Sequence, residues 1–176
     1  YTCSPMPVWQ ERLIVLVFGI DPGSTATGFA AVRREKGRFS LIEAGVIRTR
    51  SKDPIPHRLH TIHQGLVDAL VRIEPDCVAI ESIFQHRSSE SALRLGQARG
   101  VALLAAAQAG LEVSPYNPST VKKSVGCHGR AGKQELARIV ARLLALEKPL
   151  AADASDAAAI AITHIGHQAL ARLAAR

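Results

Sequence analysis

Cysteine is scarce in this chain of 176 residues. Cys3, Cys77 and Cys127 are odd in number and far apart, and they form no C-x-x-C pair. That excludes a disulfide framework and a cysteine-ligated zinc ribbon, and it suits a reducing cytoplasm. Aromatic residues make up only 4% of the chain. No apolar run approaches the roughly 20 residues that a membrane-spanning helix requires. Acidic residues are outnumbered, 15 against 22 Lys and Arg, which leaves a formal charge of +7 and a pI near 9.8. Such a balance favours a polyanionic partner, with nucleic acid the first candidate. The chain is long enough for one domain with a full core, and 47% of its residues are hydrophobic.

The first stretch, "YTCSPMPVWQER", has two prolines and no periodicity. Residues 1–12 are therefore expected to be an appendage, ahead of a single domain over 13–176. From there "LIVLVFGID", "GFAAVRRE" and "GRFSLIEAGVIRT" read as three strands of an antiparallel meander. Leu59, Ile62, Leu66, Leu70 and Ile73 then recur at helical spacing until Pro75. "DCVAIES" predicts a fourth strand, the Ala/Leu-rich run up to Gly110 a helix, and "LEVSPYN" a fifth strand. Three helical segments follow, the last being "ADASDAAAIAITHIGHQALARL". This order predicts an α/β fold: a five-stranded mixed sheet with helices on both faces, strands one and four lying parallel.

Parallel strands one and four would end at the same rim of the sheet. Asp21 closes the first and Glu81 the fourth, and neighbouring strands lie only about 4.8 Å apart. Asp153 and Asp156, three apart on the last helix, share one helical face. Four carboxylates packed together repel unless a counter-charge is supplied. Hard oxygen donors suit Mg²⁺ or Mn²⁺, and a pair of such ions about 4 Å apart stabilises both oxygens of a phosphodiester displacement. Each acid also has a plainer reading. Asp-Pro-Gly is strong turn chemistry, Glu81 could end a strand in solvent, and acids in a first helical turn cap it or favour its dipole.

The segments "GIDPGSTATGFAAV", "AIESIF", "SALRLGQARGVALLAAA", "VKKSVGCHGRAGKQEL" and "DASDAAAIAITH" together resemble the RuvC family of Holliday junction resolvases, in order from about Leu16 to His164. The resemblance implies an RNase H-like fold and a homodimer. It also implies Mg²⁺-dependent cleavage of four-way DNA junctions in recombination and repair, with 5′-phosphate products and RuvA and RuvB as partners. By position, Asp21, Glu81, Asp153 and Asp156 match the family's catalytic, metal-binding acids; some members carry histidine at the place of Asp153. Phe84 matches an aromatic acting at the junction, and Lys122 and Lys133 match basic residues near the active site. An exposed ring can stack on an unpaired base and a lysine can hold phosphate, although a phenylalanine after a strand is more often core. The residues before Leu13 and the detail of "GCHGRAG" depart from the family pattern.

Two rival functions share parts of this pattern. An actin-like ATPase also places Asp, Gly and hydroxyl residues after a first strand, but it needs a second lobe that this length does not supply. A non-catalytic junction binder would gain from fewer acids at its binding face. His57, His60 and His63, with His164 and His167, recur every three residues. Because i, i+3, i+6 sweeps around a helix, they read as an exposed, partly basic face and not a zinc site. The helix over 88–109 is the candidate dimer interface through Leu95, Ala98, Ala102 and Ala106, with burial against its own sheet as the competing use of that face.

Overall fold

The computed structural model describes residues 15–82, 89–126 and 132–174. Strands β1 (Val15–Asp21), β2 (Ala26–Glu35) and β3 (Arg38–Arg48) precede helix α1 (Ile55–Ile73) and strand β4 (Cys77–Glu81). Helix α2 (Ser89–Gln108), strand β5 (Val113–Tyr116) and helices α3 (Pro118–Ser124), α4 (Lys133–Leu143) and α5 (Ala152–Ala174) complete the order. The sheet runs β3-β2-β1-β4-β5, with the meander antiparallel and β1, β4 and β5 parallel. This is the mixed α/β arrangement expected from the sequence. Among the described residues no helix is long and apolar enough to cross a membrane.

Alternation along the strands sorts the core into two layers. Val15, Val17, Cys77 and Ala79 point to the face covered by α3, α4 and α5. Phe18, Ile20, Val78 and Ile80 point to the face covered by α1 and α2. Pro75 does not itself end α1: Glu74 does, in a left-handed conformation with its N–H donated to the Leu70 carbonyl, and the proline follows. Gly110, at φ 69°, turns the chain out of α2.

Helix α2 corrects one expectation. Ala98, Ala102 and Ala106 are completely buried in the chain's own core, against α1 and the sheet. The competing use of that face is the one adopted. Alanines on a helix permit close approach to any neighbour, and here the neighbour is intramolecular. The opposite side carries exposed Leu93, Gly100, Leu104 and Ala107.

The placement of α5 depends on two glycines. A Cβ on Gly19 would stand 2.0 Å from the Ala157 carbonyl oxygen, and one on Gly28 would stand 2.0 Å from that of Asp153. Gly19 lies in β1 and Gly28 in β2, directly opposite Asp21. Glycine in a strand interior here marks close backbone approach. Small buried residues on the helix, Ala154, Ala157, Ala158 and Ala161, complete the contact. The first turn of α5 is thereby laid across the end of β1.

Candidate active site

The register brings the acids together. Ile20 pairs with Ile80, so Asp21 and Glu81 follow side by side at the carboxyl ends of β1 and β4. Both continue the alternation of Val17–Gly19 and Cys77–Ala79, which aims them at the α5 face. Asp156 joins them from the helix. Asp21, Glu81 and Asp156 line one cavity of about 250 Å³, together with Lys122 of α3 and apolar walls from Pro118, Val121, Leu136 and Ile160. Asp153 does not line it, but its charge still acts on Asp21.

The electrostatics follow from this crowding. Burial pushes the Asp21 carboxyl up to about 8, and the neighbouring charges of Glu81, Asp156 and Asp153 add to the effect. The hydrogen bond of Asp21 with Glu81 acts in the same direction, so the site favours the protonated over the charged carboxyl. Among the described residues, no three His, Cys, Asp or Glu side chains already form a ready-made ion cage. Three carboxyl groups thus share one small cavity in which, among the described residues, Lys122 is the cation at the wall.

Around the acids, the backbone is fixed by Thr27 and Arg58, which sequence reasoning did not single out, and by His164, which it placed on an exposed face. The Thr27 hydroxyl donates to the Gly23 carbonyl (2.8 Å), closing the turn that follows Asp21. Arg58 of α1, only 2% exposed, donates to the Ser24 carbonyl from Nε (3.1 Å) and Nη2 (2.6 Å), and to Thr49 Oγ1 (3.2 Å). A lone arginine on a helix carries no mark in the sequence that it will be buried. On the other flank His164, 3% exposed, meets Tyr116 Oη through Nδ1 (2.9 Å), while its Nε2 accepts from Gln168 Nε2 (2.8 Å). This ties β5, which leads into α3 and Lys122, to α5.

The remaining expected residues are placed as follows. Lys122 is at the cavity wall, beside Asp21, Glu81 and Asp156. Lys133 opens α4, but its side chain lies outside the described residues, as does Phe84. Of the histidines, His57 and His60 are exposed, and His63 pairs with Gln108 Oε1 (2.7 Å). His164 departs from the expected exposed face, because it is buried in a satisfied network.

Comparison with known proteins agrees with this geometry. The family model described as "Crossover junction endodeoxyribonuclease RuvC" matches residues 17–164. The RuvC of Myxococcus xanthus is 48% identical over 153 residues, covering 86% of this chain and 80% of the relative. That of Solidesulfovibrio magneticus is 43% identical over 158 residues, covering 90% and 94%. Among solved structures, Thermus thermophilus RuvC in complex with a Holliday junction substrate superposes with a TM-score of 0.79 at 34% identity, covering 89% of this chain and 96% of that one. The matched span includes both strand-end acids and the first turn of α5. On fold and sequence alike, the chain belongs to the RuvC family of crossover junction endodeoxyribonucleases.

Proposed function

We propose that this protein is a metal-dependent endonuclease that resolves four-way DNA junctions by paired, symmetric nicks, and so serves homologous recombination and repair. The observation that carries the reading is the meeting of Asp21 and Glu81 at one sheet rim, with Asp156 and Lys122 closing the same cavity. Family membership supplies the substrate class.

The donor set fits a hard divalent cation, Mg²⁺ or in its place Mn²⁺: it is all carboxylate oxygen, and Asp21 keeps a proton that such a charge would displace. When bound, the cation supplies Lewis-acid stabilisation of the phosphate and a nucleophile at neutral pH. Asp21, Glu81 and Asp156 would hold it, with Asp153 contributing charge at the edge. Lys122 holds the scissile phosphate as a compact cation, and Lys133 is assigned the same role from its position in the family motif. Apolar walls from Val121, Leu136 and Ile160 limit water around the acids. The displacement breaks the bond to the 3′ oxygen and leaves a 5′-phosphate. Phe84 is assigned to stacking on an unpaired base.

A four-way junction has two equivalent strands to cut, and one protomer offers one acidic site. A homodimer with a two-fold axis presents two. Exposed Leu93, Gly100, Leu104 and Ala107 on the outer side of α2 form the face we assign to the partner copy. RuvA and RuvB are the expected branch-migration partners. The test is incubation of purified protein with a synthetic mobile junction, linear duplex and ATP, with and without Mg²⁺. Cation-dependent nicking of the junction alone is expected, whereas ATP hydrolysis or binding without cutting would reject the reading.

A further inference from the structure

The segment from Arg48 to His60 shows a charge pattern that the catalytic cavity leaves unused. Arg48, Arg50 and Lys52 are all exposed, and among the described residues none of them makes an ion pair. Asp53 is the single acid among them. Exposed His57 follows one turn into α1. Cations this close together on a loop repel one another, and a polyanion would relieve that repulsion.

The loop is also held in register with the catalytic turn. The Thr49 N–H donates to the Thr25 carbonyl (2.9 Å) and its hydroxyl to the Ser24 carbonyl (2.6 Å). Buried Arg58 donates to both Ser24 O and Thr49 Oγ1, closing the knot from α1. Ser24 and Thr25 lie three and four residues after Asp21. Displacement of the loop therefore pulls on the turn that carries the first acid.

The position suits nucleic acid. Arg48 pairs with Ala26, and Gly28 pairs with Asp21, so the ridge starts two strands from the acids at the same rim. Two strand spacings are about 10 Å, and with the loop's own reach that is about three to six base pairs of duplex at ~3.4 Å per step.

We propose that Arg48, Arg50 and Lys52 form a second phosphate-contacting site. It grips a duplex arm of the junction a few base pairs from the cut, and the Arg58–Thr49–Ser24 knot holds it in register with Asp21. The inference rests on the junction-endonuclease reading.

The experiment measures junction affinity against salt for the full-length protein and two charge-matched double variants. One is Arg50→Gln with Lys52→Gln. The other, Lys36→Gln with Arg38→Gln, removes the same charge from the β2–β3 turn at the opposite end of the sheet. Each lost phosphate contact lowers the slope of log affinity on log salt by about 0.9. The ridge variant is expected to lose about two units of slope and the turn variant almost none. Equal slope changes in both variants, or a ridge variant that binds like the parent, would overturn the site; the second outcome would leave an acidic protein surface as the alternative occupant. If the parent itself failed to prefer junctions, the resolvase reading would fall first and this inference with it.

Discussion

Asp21 gathers the electrostatic crowding of the candidate site in one side chain. Burial and its acidic neighbours push its carboxyl up to about 8, and it lines the cavity with Glu81, Asp156 and Lys122. Asp21→Asn or Glu81→Gln should therefore abolish cleavage while leaving junction binding intact or tighter, measured by gel-resolved nicking and by equilibrium binding in the same Mg²⁺ buffer. The same substitution removes a buried group that is costly to ionise. We expect Asp21→Asn to melt at a higher temperature than the parent when divalent cation is chelated, and the parent to gain more on adding Mg²⁺. His164 gives a second residue-scale prediction. Burial holds its imidazole down at about 4, from an ordinary 6.5, with His167 adding to the shift. A depressed folded value means the contribution is complete above pH 6.5 and is lost as the pH falls toward about 4. Thermal melts of the parent should therefore fall through that window more steeply than those of His164→Gln; parallel curves would remove His164 as the cause. The acids were legible in the sequence because strand ends and helix spacing place them by simple periodicity. Arg58 and His164 were not, since the burial of a polar side chain is decided by carbonyls and hydroxyls far away in the chain, Ser24 and Tyr116 in these cases.

At the scale of elements, the candidate site is assembled because α5 touches β1 and β2 through glycine. Gly28→Ala would press a Cβ against the Asp153 carbonyl, and relief of that clash must move the first turn of α5. Overpacking of this kind costs about 1–3 kcal/mol. We expect Gly28→Ala to lower the cleavage rate far more than its loss of stability explains, with junction affinity largely kept. A variant that cuts normally would show that the turn tolerates displacement. The meander and the parallel pairing of strands one and four were readable from alternation and from the helix stops, whereas the place of β5 and the face each helix covers were not. The buried side of α2 was not, because alanine serves packing against a sheet and packing against a partner equally well. Only the exposed leucines of the finished helix separate the two: Leu93 at 62% and Leu104 at 51% exposure. Leu104→Glu is accordingly expected to shift sedimentation from dimer to monomer without lowering the melting temperature by a core truncation's amount.

For the whole molecule, the positive balance and the cluster of acids serve different steps. A net charge of +7 favours approach of a polyanion, while Asp21, Glu81 and Asp156 gather negative charge in one small cavity where a cation could offset it. Both steps must end in two cuts per junction. The measurement that tests this most directly is strand mapping on one supercoiled cruciform, with Mg²⁺ and with chelator. The prediction is paired nicks at symmetry-related phosphates that appear only with the cation and vanish in Asp21→Asn. Nicks that persist in chelator, or that fall equally on linear duplex, would contradict it.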